Sequence, residues 1–529
     1  MQLRAAAPPD VAPRSPAPPR SRLRASDIQI YRGCEELTQL LIYPLVIFSP
    51  WAFGTTQPWS VWTMNIGGYT LGVLLVIKLA IRWWKGYRPP RWDEARTRAS
   101  ASSSPRAFQY PKAGSLTSGL TDALALTTVA ILGYVLISAL NARATARFIG
   151  STLTFEYRDC LAWLPHSLDS AATWSAFWTY LGLASAFWAV RDWLLGKSDA
   201  EQRAEWQKAG AAEWDTAPSL PERFRRLLWL LAINGALLGI ECIIQRFENS
   251  NKLLFLVQPR IHKTAVEQFG PYAYRSNAAQ YFNLLWPVVL GFWWTLNRNA
   301  GSRARHHLLL VAGIIVAASP IISTSRAGAI VSIGIALLAA VFLLVSHLLL
   351  VARRPENGAL RVVTLTALGV FFTTVLALGF SMGWGALAPR LKQLNDGFEG
   401  RQLMYDAARP MADDYPLFGT GAGTFESVSY LYPRPDIYWP PQLHNDWLET
   451  RITFGWVGSS LIASAFALVI LRWFARGGIH GGRRFIILSW LALAGCLAHA
   501  RYDFPFQIHS VLFLFLLVCA ALSTLSRRP

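Results

Sequence analysis

Charge is what this sequence has least of. Only 15% of its 529 residues are charged, while 53% are hydrophobic and 23 are Trp. That balance excludes an ordinary soluble globular chain and points to a polytopic membrane protein. Cysteine is also sparse. Cys34, Cys160, Cys242, Cys496 and Cys519 lie scattered without metal-ligand spacing, so neither a disulfide framework nor a zinc site is expected. Most of them lie in or beside apolar runs, where small-residue packing accounts for them. No phosphate-binding loop of the G-x-x-x-x-G-K-S/T type occurs, which excludes a nucleotide-driven pump of that kind. No internal repeat supports an inverted-repeat transporter. No apolar region comes early enough to form a cleaved signal peptide, which leaves the first span as the insertion signal.

Acidic residues are few as well, 31 against 50 basic ones, giving a net charge of +19. Such an excess suggests nucleic acid, but its placement argues against that partner. Basic residues gather in alternate connections: Arg14, Arg20, Arg22 and Arg24; Lys85, Arg88, Arg91, Arg96 and Arg98; Arg223, Arg225 and Arg226; and so on to Arg527 and Arg528. This is the positive-inside pattern, with anionic membrane lipids as the partner for the charge. It closes over about twelve spans with both termini cytoplasmic. The apolar runs lie near 38–53, 62–84, 119–140, 171–195, 226–247, 280–297, 307–324, 327–352, 362–388, 452–473, 485–500 and 507–525. The fold class expected is therefore an all-α integral membrane protein of about twelve transmembrane helices with one large periplasmic loop containing short helices. Three regions follow: a disordered cytoplasmic tail (1–37), an N-terminal transmembrane region (38–225), and a catalytic transmembrane region (226–525) that includes the loop 389–451. The outer connections are 54–61, 141–170, 248–279, 325–326, 389–451 and 501–506. The inner segments 85–118 and 196–225, the second with a short polar helix from Glu201 to Trp214, read as linkers.

The long polar stretch from Gly400 to Gly458 is where chemistry is expected. Leu403, Met404, Ala407, Ala408 and Met411 fit one face of a short amphipathic helix that Pro410 should end or kink. A glycine-spaced turn follows at 415–425, and Tyr430, Tyr432, Tyr438 and Trp439 suit an interface belt or a surface for stacking on sugar rings. Asp446 and Glu449 would form a capping box. Arg275, Arg326, Arg401 and His444 all fall in outer connections. Taken singly, Arg275 and Arg401 read as solvated loop arginines and His444 as structural, whereas Arg326, held between adjacent apolar spans, needs a partner or an aqueous cavity unless it snorkels to the interface. Together they suit another task. Guanidinium groups grip phosphate oxygens in a fork, and a neutral imidazole takes a proton from a hydroxyl near neutral pH. Asp413 and Asp414 are adjacent and diverge, so no metal site and no cofactor is expected. The combination suits group transfer from a lipid-linked pyrophosphate to a hydroxyl.

These pieces resemble the O-antigen ligase and polymerase superfamily of bacterial membrane glycosyltransferases. The resemblance rests on Ser325-Arg326-Ala327-Gly328, on Arg401 followed by Tyr415-Pro416-Leu417-Phe418-Gly419-Thr420-Gly421, on His444-Asn445-Asp446-Trp447-Leu448-Glu449 with Gly455 and Gly458, and on Asp503-Phe504-Pro505-Phe506. It covers roughly residues 226–525. It implies an inner-membrane enzyme whose site faces the periplasm and whose donor is an undecaprenyl-pyrophosphate-linked glycan. The reaction would invert the anomeric centre without a metal, and the acceptor would be a lipid A core, a protein or another glycan. Under the resemblance Arg326 and Arg401 would bind and stabilise the pyrophosphate, His444 would activate or orient the acceptor hydroxyl, Arg275 would support the donor, and Asn445 and Glu449 would hold His444. The long tail and the segments 85–118 and 196–225 depart from a minimal member. They are linkers, or docking surfaces for polysaccharide assembly proteins. A transporter or flippase for lipid-linked sugars, using the arginines without catalysis, is the reading from a different class, and a membrane scaffold is the bland one.

Overall fold

The structure is a computed structural model that describes residues 23–93, 113–150, 152–208, 220–297, 304–353, 358–433, 440–475, 479–480 and 482–526. Helices α1 (Ala25–Trp51), α2 (Pro58–Trp84), α3 (Ala113–Leu140), α4 (Ser170–Leu195), α5 (Asp199–Lys208), α6 (Glu222–Phe247) and α7 (Arg275–Asn297) make up the first half. After them come α8 (Leu308–Ile322), α9 (Arg326–Arg353), α10 (Gly358–Lys392), α11 (Leu394–Asp414), the single turn α12 (Phe425–Val428), α13 (Asp446–Arg472), α14 (Arg483–His499) and α15 (His509–Thr524). The strands among the described residues are an antiparallel hairpin, β1 (Ala144–Ile149) with β2 (Thr152–Tyr157), and a two-residue parallel pair, β3 (Ile479–His480) with β4 (Leu525–Ser526).

This is a mostly all-α, multi-pass membrane protein. Among the described residues seven helices are long and apolar enough to cross a bilayer: α2, α3, α6, α8 together with the 3-10 turn that leads into it (Arg305–Ile322), α9, α10 and α13. On α9, Leu337, Leu338 and Val341 are 63%, 59% and 59% exposed, a stripe that only lipid can cover. The other five expected apolar runs also fall in helices; α4 is 26 residues long but carries Arg191 and Asp192, and the rest are short, polar in part or interrupted by proline. Helix α1 carries Arg32, Glu35, Glu36 and two prolines, and α14 and α15 have only 17 and 16 residues. Helix α7 is polar at its start and central: it packs on α6, α8, α9, α14 and α15, and every residue except Arg275 and Leu296 is buried.

Several expectations need correction. Residues 25–37, expected as part of the tail, open α1, because Asp27 caps the helix by accepting from the Arg24 N–H. The polar helix expected from Glu201 spans Asp199–Lys208, and Trp214 lies outside the described residues, as do Tyr438 and Trp439. The amphipathic helix of the long polar stretch is not short but 21 residues long, and it runs through Pro410 to Asp414. Its buried face is Met404, Tyr405, Ala408, Met411 and Ala412, while Leu403 is exposed.

The glycine-spaced turn turns out to be a clamp. Helix α13 breaks at Gly455, whose φ of 60° and ψ of −165° are accessible essentially to glycine alone. The break frees carbonyls on one side and N–H groups on the other, and these need partners at membrane depth. The segment 416–421 supplies them. Thr420 N–H donates to Ile452 O (2.9 Å) and Gly421 N–H to Thr453 O (3.0 Å), while Trp456 N–H donates to Pro416 O (2.9 Å) and Val457 N–H to Leu417 O (3.1 Å). The Tyr134 hydroxyl from α3 stands 2.6 Å from Phe418 O and 2.9 Å from Phe454 O and shares its one proton between them, which closes the clamp from a third element.

Candidate functional site

His444 sits on the turn before α13 in the left-handed region, with φ of 57°. Such a conformation is costly for a non-glycine residue and persists only where its surroundings hold it. Here they do. Glu449 accepts from Leu443 N–H (2.9 Å), the Tyr405 hydroxyl donates to His444 O (2.7 Å), and the Asn445 side chain caps α13 by accepting from Leu448 N–H (3.2 Å). Asn445 and Glu449 therefore touch the turn that carries the imidazole, not the ring. The capping box expected from Asp446 and Glu449 does not form, because the cap is Asn445. Asp446 instead accepts from Phe506 N–H (2.7 Å) and Gln507 Nε2 (3.4 Å), and its own N–H donates to Ala500 O and Asp503 O. It fastens α13 to the turn between α14 and α15.

That turn carries Asp503, 1% exposed, whose Oδ1 lies 2.9 Å from His444 Nδ1. Burial alone would raise the Asp503 carboxyl. The hydrogen bond from His444, its charge and the Arg401 guanidinium outweigh burial and hold the group well below the usual carboxylate range. An ionised carboxylate only accepts, so His444 Nδ1 carries the proton. In the neutral form of the ring Nε2 keeps the lone pair, and among the described residues no group hydrogen-bonds it. The ring is 17% exposed, enough to meet a substrate atom. The other carboxylate oxygen accepts from the Ser276 hydroxyl, with His499 Nε2 at 3.8 Å. Tyr274 stacks on Phe504 (5.8 Å, 9°) and meets the His444 ring edge-on at 6.0 Å; burial pushes its hydroxyl up to about 12.

Arg401, on α11, belongs to this group. It donates to Tyr502 O, and although burial would lower its guanidinium, Asp503 beside it raises it. Arg326 and Arg275 fall in a second group with two arginines the sequence did not single out, Arg246 and Arg390. Arg246 donates to Ala265 O (3.0 Å), Gln268 O (3.0 Å) and Ser323 O (3.3 Å); Arg390 donates to Thr324 O (3.2 Å); Arg326 donates to Gln393 O (2.8 Å); and Arg275 donates to Val266 O. They are close enough for Arg390 and Arg246 to repel Arg275 and for Arg326 to repel Arg390. Among the described residues none of the four has a carboxylate within ion-pair distance; Glu267, engaged by Thr264, is the nearest acidic influence. The Thr324 hydroxyl between them is buried and unpartnered.

The two groups meet at α9. Ser325 caps this helix, its hydroxyl accepting from Gly328 N–H (3.2 Å) and donating to the Ser276 hydroxyl (3.2 Å). Asn283 Nδ2 donates to Gly328 O (2.8 Å), and a Cβ on Gly328 would run into that of Ala279. The Ser-Arg-Ala-Gly motif thus seats α9 against α7 and presents Arg326 at its first turn. The sequence-expected residues Arg275 and Arg326 come together there, His444 and Arg401 come together beside Asp503, and a chain of hydroxyls joins the two. Asp503 was legible only as part of a resembling turn. Arg246 and Arg390 lay inside or beside runs read as spans, and positive charge near the outer end of such a run was their one signal. Among the described residues no group of three or more His, Cys, Asp or Glu side chains could hold a metal ion.

Comparison with curated proteins and with solved structures gives no match. Residues 311–463 match the family model described as O-antigen ligase, which takes in Arg326, Arg390, Arg401 and His444. That match, over less than a third of the chain, supports the resemblance to the O-antigen ligase and polymerase superfamily.

Proposed function

We propose that this protein is a bacterial inner-membrane glycosyltransferase, with its site facing the periplasm, that transfers or polymerises glycan from an undecaprenyl-pyrophosphate donor onto a hydroxyl acceptor. The observation that carries the reading is the buried His444–Asp503 pair beside four arginines that lack carboxylate partners among the described residues. In this reading the acceptor hydroxyl gives its proton to His444 Nε2 as its oxygen attacks the anomeric carbon, and Asp503 stabilises the imidazolium that forms. The bond from that carbon to the phosphate oxygen breaks on the opposite face, so the configuration inverts. The lipid pyrophosphate departs with the bonding pair.

Negative charge then develops on the leaving group, where fixed guanidinium groups and the N-terminus of the 28-residue helix α9 act most strongly. Arg246, Arg275, Arg326 and Arg390 form this seat, and Arg401 stands beside Asp503 and the imidazole. No metal enters the scheme, since the arginines supply the positive charge that a cation would bring. The acceptor, whether a lipid A core, a protein or another lipid-linked repeat, decides between ligase and polymerase. A flippase would need the charge but not a base.

The test is a surface-glycan gel from a deletion strain complemented with wild type or with His444→Ala at equal protein level. Polymer stranded on its carrier marks a ligase, and single repeats in place of a ladder mark a polymerase. A normal pattern from His444→Ala would remove the catalytic reading in favour of transport.

A further inference from the structure

Ser276 has no part in the scheme above, yet its hydroxyl links the two halves directly. It is 3% exposed at the start of the central helix α7. Its hydroxyl donates to Asp503 Oδ2 and accepts from Ser325, the cap of the helix that carries Arg326. Each hydroxyl has a single proton, so the directions are fixed: Ser325 to Ser276, Ser276 to the carboxylate, and His444 Nδ1–H to the other carboxylate oxygen.

We infer that Ser276 is a positioning residue that couples the donor seat to the general base, holding the Asp503 carboxylate, and through it His444, in register with the turn at 323–326. A carboxylate can rotate about its last bond. Held at one oxygen by Ser276 and at the other by His444, with Phe504 N–H at 3.2 Å, Asp503 is fixed in plane. If the donor shifts the 323–326 turn, the shift passes through two hydroxyls to the imidazole. His499, also facing Asp503 and 3.4 Å from the Ser276 hydroxyl, would replace Ser276 as donor to the carboxylate if the serine were lost. That substitution would turn the carboxylate away from His444.

The inference rests on the catalytic reading of His444, and the experiment separates the two. Purified full-length enzyme in proteoliposomes is assayed for glycan transfer from an undecaprenyl-pyrophosphate donor as wild type, Ser276→Ala, Ser276→Thr and His444→Ala. Ser276→Ala is expected to lower kcat by about tenfold to a hundredfold, the usual cost of a misplaced catalytic group, with donor KM within about twofold. Ser276→Thr, which keeps the hydroxyl, should recover most of kcat. Thermal unfolding of each variant in detergent identifies any that fail to fold. A folded Ser276→Ala enzyme with wild-type kcat, or one that loses only donor KM, overturns the positioning role. Equal loss in Ser276→Thr and Ser276→Ala, both folded, overturns it too, because the hydroxyl would then not be what matters. Wild-type kcat in His444→Ala sinks the catalytic reading itself.

Discussion

Replacing Asp503 with Asn is the sharpest perturbation of this site, because it keeps the shape and removes only the charge. In the wild-type protein one carboxylate oxygen accepts from His444 Nδ1–H at 2.9 Å and from Phe504 N–H at 3.2 Å, and the other accepts from Ser276. An amide has one oxygen for these two sides. If that oxygen faces His444, the tautomer survives and only charge assistance is lost, about 1.5–3 kcal/mol, roughly tenfold to a hundredfold in rate. If the oxygen turns to Ser276, the amide nitrogen donates to Nδ1 and the ring proton moves to Nε2, the atom that should act as base. The comparable change in a Ser-His-Asp hydrolase costs about 10⁴. Ser276, fixed by Ser325, favours the second orientation, while the Phe504 N–H, which cannot turn away, favours the first. The expected loss in kcat for Asp503→Asn therefore lies between about tenfold and 10⁴, at unchanged donor KM. The assay is single-turnover transfer in proteoliposomes. An Asp503→Asn enzyme that keeps more than about a tenth of the wild-type rate would refute the dyad, since even the milder orientation costs about that much.

Arg390→Ala should raise donor KM by about tenfold or more, the scale of one charge-assisted hydrogen bond, and added salt should weaken donor binding less in the variant than in wild type. Activity should persist in excess EDTA, and its loss, with recovery on adding a divalent cation, would mean that a metal takes part. Gly455→Ala should lower the thermal midpoint, since the residue would be forced into a glycine-only conformation at a cost of about 1–3 kcal/mol while its Cβ met the Leu417 carbonyl. Lys78 is fully buried between Glu35 (3.0 Å) and Asp192 (2.9 Å) at the other end of the bundle. Lys78→Met should destabilise the protein by less than the roughly 3–5 kcal/mol of a buried pair left without its cation, because Arg82 and Arg91 still pair with Asp192 and Arg223 with Glu35. The effect is read as a lower thermal midpoint without change in donor KM. The depressed Asp503 carboxyl sets a sign for pH as well. Its pairing contributes stability in full above the ordinary carboxylate range near pH 4, and the contribution is lost only as pH falls through the depressed value. Thermal midpoints between about pH 5 and 8 should therefore show no step assignable to this group.

The helices were legible in the sequence because hydropathy is a local property. Every expected apolar run, from 38–53 to 507–525, falls in a helix. Their status as spans was less so. Helix α7 earns its buried place by contact on all sides, and polar residues such as Gln280 and Asn283 lower its hydropathy, Asn283 while binding a neighbouring helix. Pro410 predicts an end or a kink, yet α11 continues past it to Asp414, packed by Met404, Ala408 and Met411 on the loop core. Of the site, His444, Arg401, Arg326 and Arg275 could be named from type and placement. Asp503 could not be given its role, because a carboxylate 59 residues from its histidine leaves no local trace. Nor could the glycines at 419 and 421 be separated from a chemical loop, since a clamp on a broken helix and a ligand cradle ask for the same residue.

The way Asp446 and His444 both lean on the turn at 500–507 has a consequence for how the protein is made. Helices enter a membrane in the order of synthesis, and when α13 has inserted, the imidazole has no carboxylate behind it and its turn has no anchor at Phe506. Under the proposed mechanism the general base is therefore complete only once the hairpin of α14 and α15 docks. Until then, on that mechanism, the nascent protein would be inert toward its substrates. A variant that weakens this docking would leave a protein of normal length, correctly inserted and silent, and its defect would be mistaken for one of chemistry.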